Sequence, residues 1–308
     1  MAITMGVTNS QTRLNMPPRT DCHLDWLRYT VPWHDLETEL QNIDRARPGI
    51  KLFELTGETV DIGQGYDRGV RMNSGMMFWH TTRPEQGISV QLSGMDLQEL
   101  RHSEISEIDM LRFVAAVGGR VSTMHSCINV HDAGADVRQL IDAHASGKTI
   151  ARAKQVGVYT SKTKVGEKWV SGETFYIGSA KSAIQVRVYN KAAEQGIEAD
   201  WTRIEIVWRG KHARAAHAQM ITMGIAAVTR GAIMHQISTD IPWWKLAMRG
   251  ELAEPEKMRR KPSARYAWLM LVVLGALESE IAEADSERRA ELRKAYRKVI
   301  DAKHPRER

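Results

Sequence analysis

The stretch AIQVRVYNK (Ala183–Lys191) alternates apolar and polar residues along its whole length. Residues two apart in a strand share a face, so the alternation predicts a β-strand with one buried face and one polar face. The apolar face carries three β-branched residues, Ile184, Val186 and Val188. The polar face carries Gln185, Arg187, Tyr189 and Lys191. Such strands are typical of antiparallel sheets covered by helices on one side, and the predicted class is therefore α+β.

Two further stretches show the same alternation. In Trp201–Arg209, the apolar face is that of Thr202, Ile204, Ile206 and Trp208, and the other face carries Trp201, Arg203, Glu205, Val207 and Arg209. In VSTMHSCINVHD (Val121–Asp132), one face carries Thr123, His125, Cys127, Asn129 and His131. Three strands therefore each present a row of reactive side chains opposite a row of core residues.

The sequence pattern of the first half of the chain predicts a strand, a helix, several antiparallel strands and a further helix. His23–Val31 is the first predicted strand, and Trp33–Ile43 has the apolar spacing of a helix. Short strands follow at Ile50–Thr56, Gly69–Met72, Gly75–Thr81 and Ile88–Gly94. A helix is predicted from Asp96 to Val117, with an interruption near Ser103–Ser106.

The second half repeats that order. After the strand Val121–Asp132, a helix begins at an Asp136 cap and ends at Gly147. The strands that follow are Val156–Lys162, Thr174–Ser179, Ala183–Lys191 and Thr202–Gly210, and a long helix is predicted from Lys211 to Gln236. The repeated order predicts two pseudo-repeated halves of antiparallel sheet, with a helical C-terminal extension beyond Pro242.

Composition restricts the class of protein. The chain has 308 residues, 43% hydrophobic and 26% charged, which excludes a disordered or collagen-like chain. Two cysteines are too few for a disulfide framework and indicate a reducing compartment. The N-terminus lacks the apolar core of a signal peptide, and no apolar run reaches the roughly 18 residues of a membrane span. We therefore expect a cytoplasmic protein with no membrane partner.

The net charge of +6 is concentrated at the C-terminus. Residues Pro255–Arg308 hold 14 Lys and Arg against 9 Asp and Glu, whereas the rest of the chain is nearly balanced. A basic tail favours a polyanionic partner such as DNA. The alternative is a solvated helix with many ion pairs four residues apart.

Each polar strand face has a chemical interpretation and a structural one. Arg187, Tyr189 and Lys191 suit phosphate chemistry, in which cations neutralise the phosphate and a tyrosine hydroxyl attacks phosphorus. The alternative is that they are solvated residues of an amphipathic strand. Glu205 is a metal ligand, a base or a member of an ion-pair ladder. The face with His125 and His131 is a divalent-metal site or a polar surface that touches solvent or DNA.

Several motifs of common enzyme classes are absent. The sequence contains no Walker A loop, no GxGxxG after a strand, no HExxH and no GxSxG. Nucleotide hydrolysis, dinucleotide redox chemistry, zinc peptidases and serine hydrolases are therefore disfavoured.

The segment GETFYIGSAKSAIQVRVYNKAAEQ (Gly172–Gln195) resembles the signature of replication initiation factors. These are rolling-circle initiators of certain plasmids and filamentous phages, together with related relaxases. The matching positions are Tyr176, Gly178, Ser179, Ser182, Arg187, Tyr189, Lys191 and Glu194, followed by the R-x-E strand at Arg203 and Glu205. Weaker similarity extends over roughly residues 23–280.

The resemblance implies an activity for this chain. In the family, the tyrosine at the position of Tyr189 nicks one DNA strand, becomes joined to the 5′ phosphate and leaves a free 3′ hydroxyl. Arg187, Lys191 and Arg203 would share in stabilising the charge. The implied cofactor is a divalent metal ion, Mg²⁺ or Mn²⁺.

One strand departs from the family pattern T-R-x-D-x-x-x-D. Thr123, His125 and Asn129 stand where Arg, Asp and Asp are expected. Two interpretations follow: either the metal site is degenerate, or it is nitrogen-rich, prefers a softer ion, and is formed by Glu205, His125, His131 and Asn129.

The function predicted from the sequence is a sequence-specific DNA nicking-closing enzyme that initiates rolling-circle replication. The alternatives are an origin-binding or regulatory protein of the same fold that does not nick, and a conjugative relaxase. The expected partners are origin DNA at a hairpin or single-stranded nick site, a host helicase and polymerase, and a second copy in a homodimer. The expected regions are a flexible arm (1–20), an N-terminal α+β half (21–120), a catalytic α+β half (121–240) and a basic helical region (241–308).

Overall fold

The computed structural model describes residues 18–32, 52–54, 65–71, 75–102, 106–116, 118–165 and 168–249. The strands in these ranges are β1 Arg19–Val31, β2 Leu52–Glu54, β3 Arg68–Arg71, β4 Met76–Trp79, β5 Ile88–Leu92, β6 Arg120–His131, β7 Thr149–Ala151, β8 Val156–Val165, β9 Lys168–Ile177, β10 Ile184–Asn190, β11 Trp201–Arg209 and β12 Ile237–Thr239. The helices are α1 Gly94–His102, α2 Glu107–Ala116, α3 Val137–Ala145, α4 Lys191–Gln195, α5 Lys211–Met223, α6 Ile225–Gln236 and α7 Pro242–Arg249. The helix predicted at Trp33–Ile43 and the basic residues after Pro255 lie outside the described residues.

Ten of the described strands form one antiparallel sheet in the order β2-β3-β4-β5-β1-β6-β11-β10-β9-β8. Strands β7 and β12 form a separate antiparallel pair, which the sequence did not predict. The α+β class with antiparallel sheet and helices is confirmed.

The order of strands in the large sheet reflects the repeated order of elements in the chain. The first strands of the two halves, β1 and β6, pair with each other at the centre. The last strand of each half, β5 or β11, pairs with the first strand of its own half, and the remaining strands follow outward. The predicted pseudo-repeated halves therefore form the two wings of a continuous sheet.

Two predicted helices contain breaks. The chain forms α1 and α2 on either side of the interruption predicted near Ser103–Ser106. The single helix predicted from Lys211 to Gln236 is wrong in one respect, because it divides into α5 and α6 at Gly224. Gly224 has φ +87° and ψ 152°, a conformation that continues no helix and that glycine adopts with little strain.

One face of the sheet forms the core with the helices. Its alternating residues include Leu24, Ile128, Val188 and Ile204, each fully buried, and they pack in one cluster with apolar residues of α2, α5 and α6. The predicted apolar faces of β6, β10 and β11 are therefore the buried ones. The opposite face carries the polar rows, and the candidate site lies there.

None of the helices in the described ranges is long and apolar enough to cross a membrane.

Candidate active site on the polar sheet face

The register of the central strands brings the predicted polar rows side by side. Arg187 of β10 lies opposite Glu205 of β11, which lies opposite Cys127 of β6. Two residues along, Tyr189 lies opposite Arg203, which lies opposite Asn129. Side chains opposite each other in neighbouring strands are about 5 Å apart at Cβ, so the rows are in contact.

Glu205 is the centre of a group that we call the tyrosine cluster, formed by Tyr189, Arg187, Glu205 and His125. Its Oε1 accepts a hydrogen bond from Arg187 Nη2 and lies 2.8 Å from His125 Nδ1. Its Oε2 accepts a hydrogen bond from the Tyr189 hydroxyl at 3.3 Å. Burial raises the pKa of Glu205, but the hydrogen bond from His125 and the charge of Arg187 outweigh it and lower the pKa to about 2. Glu205 is therefore an ionised carboxylate.

Tyr189 is partly buried at the wall of a cleft. Burial, and then the negative charge of Glu205, raise the pKa of its hydroxyl well above the ordinary value. Lys191 Nζ lies 5.8 Å from the centre of the Tyr189 ring and forms an ion pair with Glu194. The hydroxyl is thus protonated, held by a carboxylate and flanked by a lysine and an arginine.

The cleft that Tyr189 lines has a volume of about 420 Å³. The whole tyrosine cluster lines it, and so do three further aromatic residues, Trp26, Tyr159 and Tyr176. Trp26 stacks on the His125 ring with 6.1 Å between centroids. A nucleophilic hydroxyl, cations and flat aromatic rings in one cleft are the groups that suit an unpaired nucleotide strand.

Arg203 is committed to contacts within the sheet. It is 5% exposed, and it donates to Asn129 Oδ1 at 2.9 Å and to Asp25 Oδ1 at 2.7 Å. Burial lowers the pKa of the Arg203 guanidinium, but the nearby Cys127 and Asp25 have the larger effect, and the pKa is raised. Arg203 therefore joins β11 to β6 and β1.

A second group, the aspartate cluster, consists of Asp21, His23, Asn129 and His131. Asp21 accepts from Asn129 Nδ2 at 2.7 Å and lies 2.9 Å from His23 Nδ1 and 3.2 Å from His131 Nε2. Burial raises the pKa of Asp21, but its three partners outweigh that effect and place it well below the ordinary value. The His131 ring also stacks on Trp201, whose Nε1 donates to Asn129 Oδ1.

The four residues predicted to share a metal ion do not meet at one point. His125 and His131 are six residues apart on one strand, a separation of about 20 Å at roughly 3.3 Å per residue. The Asn129 amide oxygen already accepts from Trp201 and Arg203, and both oxygens of Glu205 have protein partners. The structure brings His125 to Glu205 and Asn129 to His131, and these four side chains do not fit a single ion.

The contribution of β1 was missed by the sequence interpretation. Its pairing shifts register between Leu24 and Trp26, so that Asp25 is an extra residue opposite β6. The bulge leaves both Asp25 and Trp26 on the lining of the cleft. The strand was predicted only from His23, whereas β1 begins at Arg19, so Asp21 lay outside the prediction. No local pattern indicated that this strand pairs with β6.

Comparison with models of protein families finds a match over part of the chain. The sequence model described as "Replication initiation factor" matches residues 127–264, a range that includes Tyr189, Arg203 and Glu205. The resemblance predicted from the sequence is confirmed.

The fold is similar to that of the rolling circle replication initiator protein from Geobacillus stearothermophilus, with 18% sequence identity and a TM-score of 0.55. The match covers 82% of this chain and 95% of that chain. At this identity the likeness concerns the fold. Among proteins with curated annotation, the comparison finds no significant match.

Proposed function

We propose that this chain is a DNA nicking-closing enzyme that initiates rolling-circle replication through a covalent bond between Tyr189 and a 5′ phosphate. The observation that carries the proposal is the Tyr189 hydroxyl, held by Glu205 in a cleft lined by Arg187 and Lys191. Its position within the matched family region and the likeness to a solved initiator support the same function.

The reaction conserves the phosphodiester bond. The Tyr189 oxygen attacks phosphorus, the bond from phosphorus to the 3′ oxygen breaks, and that oxygen takes up a proton as the free 3′ hydroxyl. The Tyr189 proton passes to solvent, while the hydrogen bond to Glu205 orients the hydroxyl and the His125 ring lies 2.8 Å from the same carboxylate. In the closing step a 3′ hydroxyl attacks the phosphotyrosine and releases Tyr189, so that no ATP is required.

The cations have separate roles in this proposal. Arg187 and Lys191 line the cleft and would neutralise the phosphate as negative charge develops on it. Arg203 is bound to Asp25 and Asn129, and we assign it the role of fixing β11 so that Glu205 faces Tyr189. A divalent ion, which the family resemblance implies, would polarise the phosphate oxygens when bound.

The partners follow from the same class. Single-stranded DNA near the nick would stack its bases on the aromatic residues of the cleft. In the cytoplasm, a host helicase would unwind the duplex and a polymerase would extend the free 3′ end. A homodimer would suit an origin with inverted repeats. A conjugative relaxase would use the same chemistry on a strand destined for transfer.

A second candidate function is origin binding without nicking. The observation that favours it is the presence of His125 and Asn129 at positions where the family pattern has carboxylates. This candidate retains the fold and the basic C-terminal region but not the covalent step.

The Tyr189→Phe variant separates the two candidates. Removal of the hydroxyl leaves the ring, so origin binding should persist while nicking of a supercoiled plasmid carrying the flanking origin DNA should vanish. Tyr176→Phe is the matched control, because this tyrosine lines the same cleft. The measurement is the fraction of nicked circles and of DNA that carries protein on a denaturing gel. A covalent adduct from Tyr189→Phe would transfer the role to another tyrosine, and no adduct from the parent protein would favour binding without nicking.

A further inference from the structure

Three side chains of different chemistry converge where β1 pairs with β6. One imidazole nitrogen of His23, one carboxylate oxygen of Asp25 and the Cys127 sulfur all lie within 4.8 Å of one another. His23 and Cys127 are direct cross-strand partners, and the bulge in β1 brings Asp25 beside them. None of the three belongs to the four residues predicted to share a metal ion, although Cys127 lies on the same strand face as His125 and His131.

We propose that His23, Asp25 and Cys127 bind a transition-metal ion of the Zn²⁺ class. Imidazole, thiolate and carboxylate together favour Zn²⁺ or Co²⁺, whereas Mg²⁺ prefers oxygen ligands alone. Three protein ligands leave the fourth position of a tetrahedral ion for water or a bound oxygen. This inference does not depend on the proposed nicking activity, because it concerns binding of the metal alone.

The hydrogen bond to His23 orients its ring for this role. Asp21 Oδ1 lies 2.9 Å from His23 Nδ1, which makes Nε2 the nitrogen available to an ion. A histidine ligand held on its other nitrogen by a carboxylate is the usual arrangement around protein-bound metals. The proposed site therefore has two supporting features: three donor atoms converge, and Asp21 holds the ring of one of the ligands, His23.

The site has an entry path and a favourable charge. Cys127 is fully buried, while Asp25 lines the 420 Å³ cleft and gives an ion access from solvent. Bonds of 2.0–2.3 Å require ligand atoms about 3.5 Å apart, so donor atoms within 4.8 Å of one another need to approach by little more than about an ångström at most. The bound ion replaces the proton of the Cys127 thiol, and that proton passes to solvent. Asp25 Oδ1 accepts from Arg203 at 2.7 Å, so its other oxygen is the one offered to the ion. Asp21, Asp25 and Glu205 supply three carboxylates near the site against the guanidinium groups of Arg203 and Arg187.

Cobalt spectroscopy tests the proposal without DNA. The full-length protein, treated with chelator and reductant, is titrated with CoCl₂ while absorption is recorded. We expect one equivalent to produce the near-ultraviolet charge-transfer band of a cobalt–thiolate bond and visible bands of tetrahedral cobalt. ZnCl₂ should abolish both, and a large excess of MgCl₂ should leave them unchanged.

Matched variants assign the ligands. Cys127→Ser should lose the charge-transfer band, whereas Cys22→Ser should keep it, because Cys22 lies on the same strand pair but points to the core side. His23→Gln should raise the dissociation constant of Co²⁺ at least tenfold, and Asp21→Asn should raise it about 10–100-fold while keeping the band. His131→Gln is the control for the histidine.

Several results would overturn the assignment. They are absence of the band in the parent protein, its persistence in Cys127→Ser, or its loss in Cys22→Ser. If circular dichroism shows that Cys127→Ser is unfolded, His23→Gln decides, and an unchanged cobalt affinity rejects the site. Failure of nicking with an intact cobalt spectrum would reject only the proposed enzyme activity.

Discussion

The tyrosine cluster and the aspartate cluster occupy the same sheet face and are built from neighbouring strands, yet their polar atoms are used differently. In the aspartate cluster, Asp21 and Asn129 are both engaged with several partners across β1, β6 and β11. In the tyrosine cluster, all four residues line the cleft, where a ligand can reach the Tyr189 hydroxyl. Side chains that point to the same face of the sheet therefore have different roles. The expected consequence is that one cluster governs activity and the other governs stability.

The largest expected effect is that of Glu205→Gln on nicking. The substitution removes the charge that orients the Tyr189 hydroxyl and Arg187 while retaining the shape of the side chain. We expect the nicking rate to fall by about 10²-fold, the order of loss when a reacting group is misplaced by about an ångström. Single-turnover nicking of a supercoiled plasmid measures this rate. Arg209→Gln, at the end of the same strand, is the control, and a rate within twofold of the parent would separate Glu205 from the chemistry.

The pH dependence of nicking should come from Tyr189. Burial and Glu205 raise the pKa of its hydroxyl, so the protonated form dominates from neutral to alkaline pH. The phenolate fraction then grows tenfold for each pH unit over this range, and the nicking rate should rise with a slope of about one on a logarithmic plot. Glu205, with a pKa of about 2, contributes no inflection above pH 5. A flat profile between pH 7 and 9 would show that deprotonation of Tyr189 is not part of the rate-limiting step.

Asp21→Asn should affect stability more than activity. We expect a loss of about 1–3 kcal/mol of unfolding free energy at pH 7, because buried partners lose a charged acceptor. The folded-state pKa of Asp21 is lowered, so its contribution is present above the unfolded value of about 3.9 and is lost as pH falls below it. Urea unfolding at pH 7 and at pH 3 should therefore show a difference from the parent that shrinks in acid. The assignment of stability to the aspartate cluster would be wrong if Asp21→Asn is as stable as the parent at pH 7. It would also be wrong if this variant loses as much nicking as Glu205→Gln.

The smallest expected effect lies away from both clusters. The Asp136 side chain caps α3 by accepting from the backbone N–H of Arg138 at 2.9 Å. Asp136→Ala should cost about 1 kcal/mol of stability and leave nicking per folded molecule unchanged. Thermal unfolding and the plasmid assay measure the two quantities. A drop in nicking by Asp136→Ala would show that activity follows general stability. The two clusters would then not differ in their roles.

Most of the strand faces could be predicted from the sequence. Alternation in Ala183–Lys191 and Trp201–Arg209 placed Tyr189, Arg187 and Glu205 on faces opposite the core, because a strand repeats every two residues whatever its neighbours are. The Asp136 cap was also predicted, since capping depends on a side chain two residues from its partner. The repeated order of elements indicated two similar halves, which the strand order confirms.

Only the tertiary structure decided which strands pair and which residues meet. Strand β1 lies beside β6, about a hundred residues away in sequence, and this pairing brings Asp21, His23 and Asp25 to the site. Spacing along the predicted strand already separates His125 from His131 by about 20 Å, but only the pairing of strands shows that His125 lies beside Glu205 and His131 beside Asp21. The break at Gly224 and the bulge at Asp25 likewise follow from packing against distant elements, because a local pattern records the faces of a strand or helix but not what each face contacts.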